Sequence, residues 1–239
     1  LNSDVHESPE YPPEALCSDP DNNWVVVATR GGGLFSWSVN ASTGQRLEHS
    51  TDHPRAVLAD PNHPHEIISR LNEDTIGSIS LNQPSRHQVF GLLNGEPELL
   101  CFSATGHVWA YVDNNLIHIH TRSRTASLQI PSPGAHQVEN LRLSADGQTL
   151  AIAWLGGVLG VRDVSNATLG ELQVLRRSGP AVHALAFSPI APILALADVT
   201  GQLQVWNTDT HTLLWEKRIG SVSSLCWSPD GRYLAAGEY

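Results

Sequence analysis

Six times along this 239-residue chain an apolar stretch runs into a small polar residue that opens a turn. The polar residues are Asp19, Asp60, Ser103, Ser144, Ser188 and Ser228, at steps of 40 to 44 residues. Three residues before each lie Leu16, Val57, Leu100, Leu141, Leu185 and Leu225, apolar in every copy. Immediately before them lie Ser18, Ala59, Phe102, Leu143, Phe187 and Trp227, and six before lie Pro13, Pro54, Pro97, Val138, Val182 and Val222. The last copy, Val222-Ser-Ser-Leu-Cys-Trp-Ser-Pro-Asp-Gly231, shows the logic. Leu225 and Trp227 are two apart and share one face of a pleated strand. Pro229 has its φ preset for a turn, and Gly231 accepts the positive φ that closes one. A second apolar strand, Leu234 to Gly237, follows.

A period of about 40–45 residues that holds four short strands is that of one blade of a β-propeller. The fifth copy is the clearest, with strands at 182–187, 193–198, 201–207 and 211–216. No segment sustains the 3.6-residue apolar spacing of a helix. The expected fold class is therefore all-β, a β-propeller with about five and a half four-stranded blades from Pro13 to Tyr239. Residues 1–12 form an irregular lead-in, in which Val5-His6 could add a strand to the last blade of a closed ring. The sixth copy breaks off after two strands, and the chain has neither an initiating nor any other Met. We expect it to be a segment of a longer protein whose ring is completed to seven blades, by the continuation of the same chain or by a partner.

Composition removes several classes of function. With 24 acidic and 14 basic residues the formal net charge is −10, and the longest basic runs are Arg176-Arg177 and Lys217-Arg218. A surface that tracks nucleic-acid phosphates needs clustered Lys and Arg, so no nucleic acid is expected as partner. No apolar run approaches the ~20 residues of a membrane-spanning helix, so no membrane is expected either. Cys17, Cys101 and Cys226 all fall two residues before a turn residue. They read as small apolar fillers in separate blades, out of disulfide reach. Buried thiols of this kind suit a reducing, cytoplasmic compartment.

Leu-Ala-Phe-Ser-Pro at 185–189, Gly201-Gln-Leu-Gln-Val-Trp-Asn207 and Trp227-Ser-Pro-Asp-Gly-Arg-Tyr-Leu-Ala-Ala-Gly237 resemble WD40 repeats. The resemblance runs from about Pro13 to Tyr239 and is strongest in the last three copies. It implies a WD-repeat propeller that serves as a non-catalytic scaffold for protein binding. The family's characteristic Trp is matched by Trp37 and Trp206, and replaced by His120, Arg162 and Asn82. The hydrogen-bonded set that joins this Trp to a Ser, a His and a turn Asp is absent from the fifth copy, where the matching positions are Leu196, Ser178 and Thr200. The blades are expected to rely on apolar packing instead.

No Gly-x-Ser-x-Gly, phosphate loop or Cys/His nucleophile pair occurs. The chain does not read as an enzyme, and no cofactor or metal is expected. Among the 12 histidines the densest group is Asp52, His53, His63, His65 and Glu66. A strand separates His53 from the other two histidines by roughly 17–20 Å, too far to share an ion. His63 and His65 read as solvated loop residues. His118 and His120 share one strand face, two ligands where zinc takes three or four, and a packing role is expected for His120. Arg142, in the cysteine column, should either find a buried partner or line a channel.

The residue ten after each turn residue ends the second strand: Thr29, Asp113, Trp154, Asp198 and Glu238. In WD40-like propellers this rim commonly receives peptides. Asp113, Trp154, Asp198 and Glu238 are the candidate partner-binding residues, for a protein or peptide of basic character, with Trp154 as apolar anchor. The other reading of Trp154 is that it packs beneath a neighbouring loop. A propeller enzyme or small-ligand sensor that uses the central channel is the alternative function, and only Arg142 offers it a polar side chain.

Overall fold

The computed structural model describes residues 13–18, 23–29, 33–40, 44–47, 56–63, 65–72, 74–93, 97, 99–122, 128–131, 137–165 and 170–238, and of Glu14 and residues 128–131 the backbone alone. The lead-in at 1–12, with Val5 and His6, the Asp19 turn, and Asp52 and His53 lie outside them. The described residues contain strands and turns and no helix. They fall into two compact units, Leu1–Leu100 and Cys101–Tyr239.

In the first unit β1 (Pro13–Ser18), β2 (Trp24–Thr29), β3 (Gly33–Ser38) and β4 (Gly44–Arg46) form one antiparallel sheet in chain order. A second such sheet is built of β5 (Val57–Ala59), β6 (Glu66–Asn72), β7 (Thr75–Ser80) and β8 (His87–Leu92). Next come β9 (Leu99–Phe102), which crosses the boundary, β10 (Val108–Asp113), β11 (Leu116–Thr121) and β12 (Leu128–Pro131). The second unit continues with β13 (Val138–Leu143), β14 (Thr149–Trp154), β15 (Val158–Asp163) and β16 (Gln173–Arg176). Its last four-stranded sheet is β17 (Val182–Phe187), β18 (Ile193–Asp198), β19 (Gln202–Asn207) and β20 (Thr212–Arg218), before the two-stranded β21 (Val222–Trp227) and β22 (Leu234–Glu238). The molecule is all-β, and its four-stranded antiparallel meanders are consistent with the blades of a WD40 propeller.

The recurring turn residue is explained by its hydroxyl. Ser144 Oγ donates to Asp146 Oδ1 at 2.6 Å and accepts the Thr149 N–H at 2.9 Å. Ser228 repeats both bonds with Asp230 and Tyr233, at 2.6 and 2.9 Å. One hydroxyl thus caps the turn and pins the start of the next strand. The column six residues before it is set apart by a second regularity. The ladders of β1, β13, β17 and β21 each slip by one residue between the sixth and fourth positions before the turn, at Pro13/Ala15, Val138/Asn140, Val182/Ala184 and Val222/Ser224. Such bulges increase the local twist of the strand pair.

Within each unit the sheets bury the faces that they turn to one another. Leu185, Leu194 and Leu196 pack on Ala151, Ala153, Leu159 and Val161 of the sheet before. On the other face Ala184, Ala197 and Leu203 meet Val222, Leu225 and Leu234 of the pair that follows. In the first unit Ala15, Cys17, Val26 and Ala28 likewise meet Val57, Ile67 and Ile79. Burial is therefore not uniform in the apolar column three residues before the turn. Leu16 is 67% exposed, because its face looks away from the second sheet and no described sheet covers it. Cys226 is exposed for the mirror reason, on the outer face of the last pair, whereas Cys101 is buried. Cys226 is therefore no filler. Arg142 is exposed rather than buried, and its Nη1 donates to the Leu141 carbonyl at 2.8 Å.

Candidate functional site

The second strands of the second unit end on the residues singled out as a rim, but the four side chains differ sharply in access. Asp113 is half-buried and accepts a bond from Asn114 Nδ2 at 3.0 Å, and Glu238 is exposed. Trp154 is only 1% exposed. It lies over Gly160 of β15, where an added Cβ would come within 3.1 Å of the indole.

Asp198 is 2% exposed. Its Oδ1 accepts from the Thr200 N–H, the Thr200 hydroxyl and the Gln202 N–H at 3.0, 2.7 and 3.2 Å, closing the turn between β18 and β19. Its Oδ2 faces Arg176 Nη1 at 3.3 Å. Arg176, on β16, also donates through Nε to the Gly157 carbonyl at 2.7 Å and through Nη2 to Pro180. Gly157 and Gly201 hold the same place in successive hairpins, with φ of +70° and +81°, and a Cβ there would strike the backbone of Gly179 and Gly220. Arg176 stands in one of the longest basic runs of the sequence, in blades expected to rely on apolar packing. A polar network exists, built on Asp198 and Arg176. Asp198 thus joins two sheets, Trp154 is buried, and Asp113 and Glu238 alone of the four candidates offer side chains to solvent.

A concave surface lies at the opposite ends of these strands. The turns at 144–149 and 187–192 and the β19–β20 turn enclose a groove of about 440 Å³. Asp146 and Asp209 are exposed on it, and Phe187 and Pro192 contribute apolar lining. Ile190 is 67% exposed at its edge. Nothing in the single-strand periodicity marks this groove, which exists only because two turns 44 residues apart, opened by Ser144 and Ser188, are neighbours in space.

On the third sheet Trp109 stacks on His120 at 5.5 Å and Tyr111 on His118 at 4.6 Å. The packing role expected of His120 is what its ring shows. Burial pushes the pKa of His118 down, and that of His120 down to about 4, with the neighbouring His118 adding to the effect. In the second sheet the turn after β5 brings Asp60, His63 and Glu66 together, with ligand atoms within 4.8 Å of one another. Of the two histidines read as solvated loop residues, the His63 side chain is 57% exposed and His65 is half-buried. His65 adopts a left-handed φ of 64° and is not part of the group.

Comparison with known proteins agrees with the repeat. A protein described as a 66 kDa stress protein, from Physarum polycephalum, is 21% identical over 227 residues. The match covers 94% of this chain and 37% of that protein, so the chain spans little more than a third of its relative's length. Residues 213–239 match the family model "WD domain, G-beta repeat", a repeat that suggests a protein-interaction scaffold and whose families are generally non-catalytic. Together with the repeated four-stranded sheets, this match supports assignment of the chain to the WD40-repeat family.

Proposed function

We propose that the chain is a non-catalytic protein-interaction module that holds a short basic segment of a partner protein in the groove between the turns at 144–149 and 187–192. The observation that carries this reading is the groove itself, which sets two exposed carboxylates, Asp146 and Asp209, beside the exposed side chain of Ile190. A Lys or Arg side chain meets the carboxylates while its neighbour covers Ile190. The net charge of −10 favours encounter with a cationic partner. The half-buried Asp113, on the third sheet, and the exposed Glu238, on the last strand pair, are what remains of the expected rim. The pair β21–β22, exposed along most of both strands, suits completion by further strands from the same protein or a partner.

The test is selection from a displayed library of short peptides, followed by affinity measurement on purified variants. Asp146→Lys and Asp209→Lys are expected to weaken the selected peptides at least tenfold, and Asp113→Lys to leave them unchanged. The reverse pattern moves the site to the rim. Selection of peptides without basic residues removes the proposal.

A further inference from the structure

The second sheet departs from the four later copies at its turn, where Asp60 stands in place of their Ser hydroxyl. The structure assigns to this turn a site for one divalent transition-metal ion, held by Asp60, His63 and Glu66. The ligand atoms of the three lie within 4.8 Å of one another, close enough for small side-chain rotations to bring all three onto a single ion. Two carboxylates and an imidazole form a mixed oxygen and nitrogen set, suited to zinc and its first-row neighbours rather than to calcium.

The ligands are held before any ion arrives. Asp60 is fully buried, and its Oδ1 accepts the Asn62 N–H at 2.9 Å, which leaves Oδ2 turned to His63 Nδ1 at 3.2 Å. The backbone ties the ligand-bearing residues together: the Asp60 N–H donates to the Glu66 carbonyl at 2.8 Å and the Glu66 N–H to the His63 carbonyl at 3.1 Å. From β7, the Ser78 hydroxyl donates to Glu66 Oε2 at 2.7 Å and orients that carboxylate. Hydrogen bonds of this outer kind are typical supports of metal ligands. The His63 side chain is 57% exposed, which gives an ion its entry path and leaves room for water in the remaining coordination positions. In neutral His63 the ring hydrogen sits on Nδ1 when bonded to Asp60. It moves to the other ring nitrogen when Nδ1 takes the ion, so no proton is lost overall.

Zinc chloride titrated into the chelator-stripped chain, followed by calorimetry and elemental analysis, tests the site. The expected result is one saturable zinc ion per chain. His63→Gln and Glu66→Gln should each weaken it by more than tenfold, and Ser78→Ala by about tenfold, with circular dichroism unchanged in all three. Asp60→Asn is not needed, since its buried carboxylate also closes the turn. Absence of a saturable ion in the wild-type chain overturns the assignment. So does zinc binding of equal strength in the His63 and Glu66 variants, which would place the ion on other histidines.

Discussion

Arg176 Nη1 and Asp198 Oδ2 lie 3.3 Å apart and join the fourth strand of one sheet to the second strand of the next. The side chains are 10% and 2% exposed, so neither charge has water to fall back on. Removing one partner strands the other charge. Arg176→Ala is expected to cost about 3 kcal/mol, the range for a broken buried pair, and also frees the carbonyls of Gly157 and Pro180. Asp198→Ala should cost at least as much, because its Oδ1 also closes the 198–202 turn. Urea unfolding of both variants measures this. Costs below about 1 kcal/mol, as for an exposed pair, would mean the pair is not a clasp.

The thiols should separate by face. Cys226, exposed on the last strand pair, should react with an aromatic disulfide reagent in the native protein. Cys101 should react only after denaturation, since burial pushes its thiol up to about 11 and keeps it protonated as well as hidden. Counting thiols released before and after denaturant, in wild type and Cys226→Ser, checks the assignment.

Acid should weaken the third sheet before the carboxylates titrate. His118 and His120 are stacked on Tyr111 and Trp109 and buried in the neutral form, with pKa values below the ordinary 6.5, about 4 for His120. The unfolded chain binds protons at these rings where the folded chain does not. Stability is therefore full above pH 6.5 and falls as the pH drops from there towards 4. Melting temperature across this window is expected to decline in wild type and less steeply in His120→Gln. Identical slopes would exclude His120 as the cause.

Much of the fold is legible in the chain because the signals are local. Alternating apolar residues and a Ser followed five residues later by the N–H it binds place strands and turns by themselves. What the sequence leaves open depends on neighbours. Leu16 and Leu185 occupy the same column, yet one is exposed, since only Leu185 has a described sheet against its face. The position of Trp154 and Asp198 at strand ends follows from spacing, but the burial of the indole and the Arg176 side chain that meets Asp198 do not. Asp60, His63 and Glu66 are spaced three apart, which reads as unremarkable loop until the backbone bonds of the turn fold them onto one another. The groove under Ile190 is likewise a property of two repeats together.

Trp154 separates a packing role from a binding role most directly. Its indole is 1% exposed above Gly160, and its Nε1–H has no hydrogen-bond partner among the described residues. A buried donor without a partner carries a desolvation cost that Phe does not. Trp154→Phe should therefore cost little more than the lost ring volume, under about 1.5 kcal/mol. Trp154→Ala should cost about 3–5 kcal/mol through the cavity it leaves. If the residue acts in packing alone, the Phe variant, still folded, binds selected peptides as wild type does. A folded Phe variant that loses peptide affinity would restore Trp154 to the binding surface and require the cover over it to open.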